Sequence, residues 1–217
     1  MKVSVIITNY NYARYLGRAI RSLLDQNYEK SDYEVIIVDD NSSDHSLEVL
    51  KSFGDLIRTI ELETNVGLSE ARNIGVRNAR GQYVVFVDAD DYVHSDLLWV
   101  QQQFLSYNHQ FGAVSVDYVL VDESENHVER INAEQVPIAC GIMFRLDSLV
   151  NIGLYDKKFR AHEERDLRIR FQERFEVYNI ILPLYRYRRH ESNLTNDQEK
   201  MSVYSQLLSD KHGLEKP

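Results

Sequence analysis

The segment Tyr83-Val84-Val85-Phe86-Val87-Asp88-Ala89-Asp90-Asp91 constrains the fold more than any other stretch of this chain. An apolar run leads without a break into three carboxylates. A run this short reads as a buried strand of a parallel sheet. Its acids then stand at the C-terminal end of the strand, where open α/β sheets bind ligands. Clustered carboxylates repel one another unless a cation relieves them, and hard oxygen donors favour Mg²⁺ or Mn²⁺, ions that commonly clamp phosphates. The plainer alternative is an acidic loop leading into the next helix, with Ser95 as its N-cap.

The rest of the chain repeats the pattern. Val3 to Thr8 reads as a strand, Asn9-Tyr10-Asn11-Tyr12 as a polar turn, and Leu16, Ala19, Ile20, Leu23 and Leu24 recur at helical spacing. Glu34 to Val38 is a second buried strand, ending in Asp39-Asp40. Asn41-Ser42-Ser43-Asp44 opens a helix through Leu47 and Leu50. A strand over Ile57 to Leu62, the turn Asn65-Val66-Gly67 and a helix over Ser69 to Ala79 follow, with Gly81 expected as that helix's C-terminal cap. This β-α-β-α-β-α-β rhythm predicts an α/β fold with a Rossmann-like, doubly wound, mostly parallel sheet.

The rhythm changes after Asp91. A helix is expected over Leu97 to Leu105, then strands over Ala113 to Val121, His127 to Ile131 and Gly141 to Arg145. A helix over Leu167 to Phe175 and a strand over Val177 to Leu182 come next. The tail beyond Asn196 reads as weakly helical from Glu199 to Leu208, then frayed. No linker breaks the chain. The expected organisation is therefore a nucleotide-binding half (1–91) and a second half (92–196) fused into one domain, with a tail (197–217).

A net charge of -9 disfavours nucleic acid as a partner, so an acidic site would hold an anionic ligand through a metal. The single cysteine, Cys140, excludes an intrachain disulfide and fits a reducing, cytoplasmic compartment. The apolar run from Met1 to Thr8 is short for a signal peptide, and no stretch approaches a membrane span. Oligomeric state is not legible. There is no Gly-x-Gly-x-x-Gly or Gly-x-x-x-x-Gly-Lys loop, and His162-Glu163-Glu164-Arg165-Asp166 lacks the second histidine of a helical zinc motif. The sequon Asn193-Leu194-Thr195 means little without a secretory signal.

Taken in order, four motifs resemble the inverting family 2 glycosyltransferases of the GT-A fold. They are Val3 to Asn11, Val38-Asp39-Asp40-Asn41-Ser42-Ser43-Asp44, Asn65-Val66-Gly67 with Ala71-Arg72-Asn73-Ile74-Gly75, and Asp88-Ala89-Asp90. Met143-Phe144-Arg145, Ile152 to Asp156 and Leu167 to Arg170 fit the acceptor half of that family. The resemblance spans roughly residues 1 to 195. It implies transfer of a sugar from a nucleotide-diphospho-sugar, a UDP-sugar first, to a hydroxyl of a glycan, lipid-linked or other acceptor, with inversion and with Mn²⁺ or Mg²⁺. Peripheral contact with the inner face of a membrane is compatible with such an acceptor.

The resemblance also implies roles. Thr8 and Tyr10 line the nucleotide base, with the tyrosine ring stacked on it; Asp40 accepts from the base; Arg72 lies near base or phosphates; Asp88 faces the ribose and donor sugar. Asp90 ligates the metal, with Asp91 as substitute. The basic stretch Tyr185-Arg186-Tyr187-Arg188-Arg189-His190 closes over the diphosphate, His190 touching phosphate or metal. The family carries Glu-Asp before an apolar helix. Aligning Leu167 and Arg170 places Glu164 at the aspartate that acts as general base, a departure by one methylene; Asp166 is the alternative if the register slips. An inactive GT-A domain that binds sugars or partners stays open because of that change. A phosphorelay receiver and a dehalogenase-type phosphatase fit less well, lacking respectively a Lys-Pro pair at a suitable strand end and the residues expected after Asp90.

Overall fold

The computed structural model describes residues 1–191, 193 and 197–214. Most of the Asn193-Leu194-Thr195 sequon, the boundary expected at 196 and the last three residues lie outside them. Four strands build a parallel half: β1 (Val3–Asn9), β2 (Tyr33–Asp39), β3 (Arg58–Glu61) and β4 (Tyr83–Phe86). Their order is β3-β2-β1-β4, so the winding reverses direction at β1. Val3, Ile6, Ile7, Ile36, Ile37, Val84 and Val85 are fully buried, as expected of strands covered on both faces. The connections are α1 (Ala13–Leu24), α2 (Ser46–Phe53) and α3 (Leu68–Asn78).

The second half extends the same sheet rather than forming another. β5 (Tyr92–Val93), β6 (Phe111–Val121), β7 (His127–Ile131), β8 (Met143–Arg145) and β9 (Glu176–Arg188) complete a nine-stranded sheet. β8 pairs antiparallel with both β4 and β6, and β9 runs parallel to β6. The boundary expected at residue 91 thus falls between two strands of one sheet. α4 (Leu97–Tyr107), α5 (Leu146–Asn151), α6 (Glu163–Gln172) and α7 (Gln198–His212) complete the chain.

Several expectations need correction. β5 and α5 leave no periodic trace in the sequence, because two and six residues are too short to show one. α6 starts at Glu163, four residues before the expected Leu167, its acidic first turn suited to the helix dipole. β9 continues past Leu182 through Pro183, because the register shifts on both sides of the Asp117–Pro183 pair and the proline sits at that irregularity. The basic stretch is therefore mostly strand rather than lid: Tyr185 and Arg188 are buried. The tail is not frayed over its described length, since α7 runs to His212 with Leu208 and Ser209 buried. Ser95 does not cap α4. Asp96 occupies that position without a side-chain capping bond, and the Ser95 hydroxyl accepts from Asn27.

Gly81 is not a helix cap either. α3 ends at Asn78 with Ala79 as its cap, and Gly81 lies outside the left-handed region. Glycine is needed there for close approach: a Cβ would lie 2.6 Å from the Ser4 nitrogen and 2.7 Å from the Val3 carbonyl carbon. Both obstacles are the backbone of a central strand. Gly81→Ala should therefore destabilise the fold by about 1–3 kcal/mol. Urea denaturation should show a lower midpoint with an unchanged slope.

Candidate active site

The strand ends of the parallel half open onto a cavity of about 540 Å³. It lies at the winding reversal, where open α/β sheets bind ligands. Thr8 and Tyr10 from the end of β1, Asp40 after β2, and Asp88 and Asp90 after β4 line it. Tyr10 is 48% exposed, so one face of its ring is free to stack. Across the cavity stand Arg160, Ala161, His162, Glu163 and Glu164, at and before the start of α6, together with the segment Pro137–Ala139 and Met201 of α7.

The donor-side loops are laced by their own side chains. Asn11 and Asn41 adopt left-handed backbone (φ 62° and 64°), which asparagine tolerates better than most residues. The bend at Asn41 lets the Ser42 amide and hydroxyl reach Asp39 at 2.9 and 2.7 Å. Asn9 donates to the same carboxylate at 2.7 Å. Asp39 is thereby a structural clasp between β1 and β2. Asp40 points the other way, accepting from the Val66 and Gly67 amides at 2.7 and 2.9 Å. It orders the loop before α3, and burial nevertheless raises its pKa. Gly67 needs glycine for its φ of 87°.

The three acids after β4 have separate fates. Asp88 accepts from Arg72 at 3.0 Å. Asp90 faces His190, its Oδ2 lying 2.8 Å from Nε2, with Asn193 donating to the same oxygen at 3.2 Å. Burial pushes the Asp90 carboxyl up, the His190 hydrogen bond pulls it down, and neighbouring Asp88 pushes it up again. Asp91 does not line the cavity and is not placed as a substitute metal ligand. It is 2% exposed, and its two oxygens accept from the Tyr185 hydroxyl (2.7 Å) and the Arg188 amide (2.8 Å). Burial, then Asp90 and Asp88, raise its pKa well above the usual carboxylate range. His190 also stays outside the cavity lining, stacked on Tyr15 at 4.8 Å, and touches the lining residues Asp90, Asn193 and Tyr12.

Arg72 stands at the cavity as a paired cation. It lines the cavity yet is 1% exposed, held between Asp88 and Glu163, the latter at 2.8 Å. Its guanidinium also lies over the rings of Tyr155 and Phe86. It is neither a solvent-facing helical arginine nor a free cation for phosphate. Arg160 is the exposed cation at the cavity, with no carboxylate within 4.0 Å among the described residues. Glu163 and Arg160 carry no local sequence signal of these roles.

The two candidates for the base separate as well. Glu164 lines the cavity. Of the five carboxylates there, Glu164 alone has no hydrogen bond or ion pair among the described residues. Asp166 does not reach the cavity: it is fully buried on the other side of the turn, gripped by Arg170, Lys211 and His212.

The sequence matches the family described as glycosyl transferase family 2 over residues 4–162. The chain belongs to that family. Among curated relatives, the family 2 chain is 35% identical over 112 residues to the poly(ribitol-phosphate) beta-N-acetylglucosaminyltransferase TarS of Staphylococcus aureus, covering 50% of this chain and 20% of TarS. It is 38% identical over 136 residues to an uncharacterized glycosyltransferase of Haemophilus influenzae, covering 61% of this chain and 53% of that protein. The chain thus spans from a fifth to about half the length of these relatives. Its fold matches S. aureus TarS 1-349 in complex with UDP-GlcNAc with a TM-score of 0.80 at 21% identity, over 97% of this chain and 66% of that one. It also matches the mannosyltransferase PcManGT from Pyrobaculum calidifontis, in complex with GDP-Man and Mn²⁺, with a TM-score of 0.77 at 18% identity, over 97% and 63% of the two chains. The fold is therefore GT-A, and the receiver and dehalogenase readings fall away.

Arg72 and Glu163 form a buried ion pair with side chains 2% and 4% exposed. Removing one partner of such a pair typically costs about 3–5 kcal/mol, because the other charge is left uncompensated. Arg72→Met should lose about that much stability near neutral pH. The loss should shrink as pH falls through the carboxyl range, since burial already raises Glu163 and its protonated form needs no cation. Urea denaturation of wild type and variant at several pH values measures both effects.

Proposed function

We propose that this chain transfers a sugar from a nucleotide-diphospho-sugar to an acceptor hydroxyl with inversion, with a UDP-sugar as first donor candidate. The carrying observation is the unbonded Glu164 carboxylate facing the donor-side strand ends across one cavity. A general base needs a free lone pair within reach of the proton it takes. Relatives supply the donor class: TarS has been captured with UDP-GlcNAc and PcManGT with GDP-Man. The acceptor is a hydroxyl of a glycan, lipid-linked or other molecule; TarS is named for poly(ribitol-phosphate). Among the described residues no helix is long and apolar enough to cross a membrane.

In this reading the Tyr10 ring stacks on the base beside Thr8, and Asp40 accepts from a base N–H with the lone pairs left by Val66 and Gly67. Asp88, steadied by Arg72, faces the ribose and donor sugar. Arg160 offers its charge to the anionic donor. Glu164 takes the proton of the acceptor hydroxyl as that oxygen bonds to the anomeric carbon. The bond to the diphosphate oxygen breaks on the opposite face, and the diphosphate leaves with the electron pair.

A divalent ion fits the donor chemistry at Asp90. Asp90 lines the cavity and would hold the ion, with the His190 imidazole beside its carboxylate as the second candidate. No group of three or more His, Cys, Asp or Glu side chains is gathered for a metal among the described residues. That suits an ion held by one or two side chains and completed by phosphate oxygens. When bound, such an ion neutralises charge growing on the diphosphate as the sugar departs.

Thermal shift with UDP should give a clearly larger rise in Tm with Mn²⁺ or Mg²⁺ than with chelator, and Asp90→Ala should erase that difference. Equal shifts with and without chelator would remove the metal, and stabilisation by GDP but not UDP would change the donor. Glu164→Gln keeps the shape and removes the proton acceptor. It should bind UDP normally while sugar transfer falls by roughly 10²–10⁴-fold. A rate within a factor of two of wild type would take the role from Glu164.

A further inference from the structure

We infer that α7 belongs to the catalytic apparatus: it walls the acceptor side of the cavity and holds the turn that carries Glu164. This rests on the reading of Glu164 as base. Glu164 makes no side-chain bond of its own among the described residues, so the backbone of its turn sets where it points. That turn is bounded by His162 and Asp166, whose amide donates to the His162 carbonyl at 3.1 Å. Both bounding residues are tied to α7.

At the first boundary, His162 sits in left-handed backbone (φ 58°) immediately before α6. Its imidazole lies against the Met201 main chain, while Nδ1 is buried without a partner among the described residues. Met201 itself lines the cavity beside His162 and Glu164. At the second boundary, the last turn of α7 delivers an ammonium and an imidazole to the fully buried Asp166: Lys211 Nζ at 2.6 Å and His212 Nε2 at 2.8 Å from Oδ1. Arg170 occupies Oδ2 at 2.7 Å. Burial alone would raise the Asp166 carboxyl, but these three donors hold it below its ordinary value. Lys211 also binds Asp156 at 2.8 Å. Tyr204 and Lys211 pack on Phe159, and Leu208 is 1% exposed.

Asp166, Lys211 and His212 are thus positioning residues that act through the α6 backbone. A displacement of about 1 Å at a catalytic group can cost on the order of 10²-fold in rate. Among the described residues no hydrogen bond or ion pair joins the donor-side acids to α7, so donor affinity and turnover should part company when the latch is opened.

The test is the full-length double variant Lys211→Met/His212→Phe beside Lys211→Arg/His212→Lys, which keeps a hydrogen-bond donor at both positions. UDP affinity is read by calorimetry with Mn²⁺, kcat and KM by UDP release from whichever UDP-sugar the wild type consumes, and amide exchange over residues 163–172. The first variant should keep UDP affinity and donor KM within about 2-fold, lose about 10–100-fold in kcat, and exchange faster in α6; the second should recover most of the rate. Unchanged α6 exchange, unchanged kcat, or parallel loss of UDP affinity and kcat would each overturn the inference. A wild type that binds UDP but releases none from any UDP-sugar would instead sink the proposed activity, and the α6 exchange data would still decide the latch.

Discussion

The Arg72 guanidinium is the constraint on which the site depends. A buried charge is tolerable only when paired and hydrogen-bonded. Arg72 meets that demand by reaching Asp88 at the end of β4 and Glu163 at the start of α6. Two segments far apart in sequence are thereby held across one cavity. Because Glu163 is committed to Arg72, the next side chain around the helix, about 100° away, is left to face the cavity. The ion pair and the free carboxylate follow from a single arrangement.

The acids after β4 show the same economy. Asp88, Asp90 and Asp91 would repel one another at an exposed strand end. Asp91 is withdrawn into the core by Tyr185 and the Arg188 amide, and Arg188 Nε also binds the Asp90 carbonyl at 2.8 Å. The basic stretch that reads as a lid in the sequence is instead the frame that sorts these carboxylates. With Asp91 sealed, Asp88 and Asp90 remain at the cavity, and polar neighbours fix the orientation of each.

Much of the fold is legible in the order of the amino acids. Apolar runs ending in Asp39-Asp40 and Asp88 to Asp91 mark parallel strands and the edge where they open, and helices between them show a 3.6-residue period. The second half is less legible. Its strands are short, antiparallel or bulged, and Pro183 interrupts the longest. Gly81 stands out in the sequence for the wrong reason, since a glycine demanded by a neighbouring backbone looks the same there as one demanded by a positive φ. The tail reads as frayed because its apolar spacing is weak, yet α7 is held by charges on Asp166 and Asp156 that no periodicity displays.

For the site, the sequence by itself determined which residues gather: parallel apolar strands ending at or just before Thr8, Tyr10, Asp40, Asp88 and Asp90 place them at one sheet edge, and the family motifs point to Glu164. The tertiary structure alone decided which acids remain available. Asp90 and Asp91 are adjacent, as Glu163 and Glu164 are, and local sequence treats the members of each pair alike. Their fates diverge because the partners arrive from distant elements, Tyr185 and Arg188 for Asp91 and Arg72 for Glu163, just as Lys211 and His212 reach Asp166. Whether a carboxylate is a clasp or a reagent depends on who neutralises it, and long-range packing sets that.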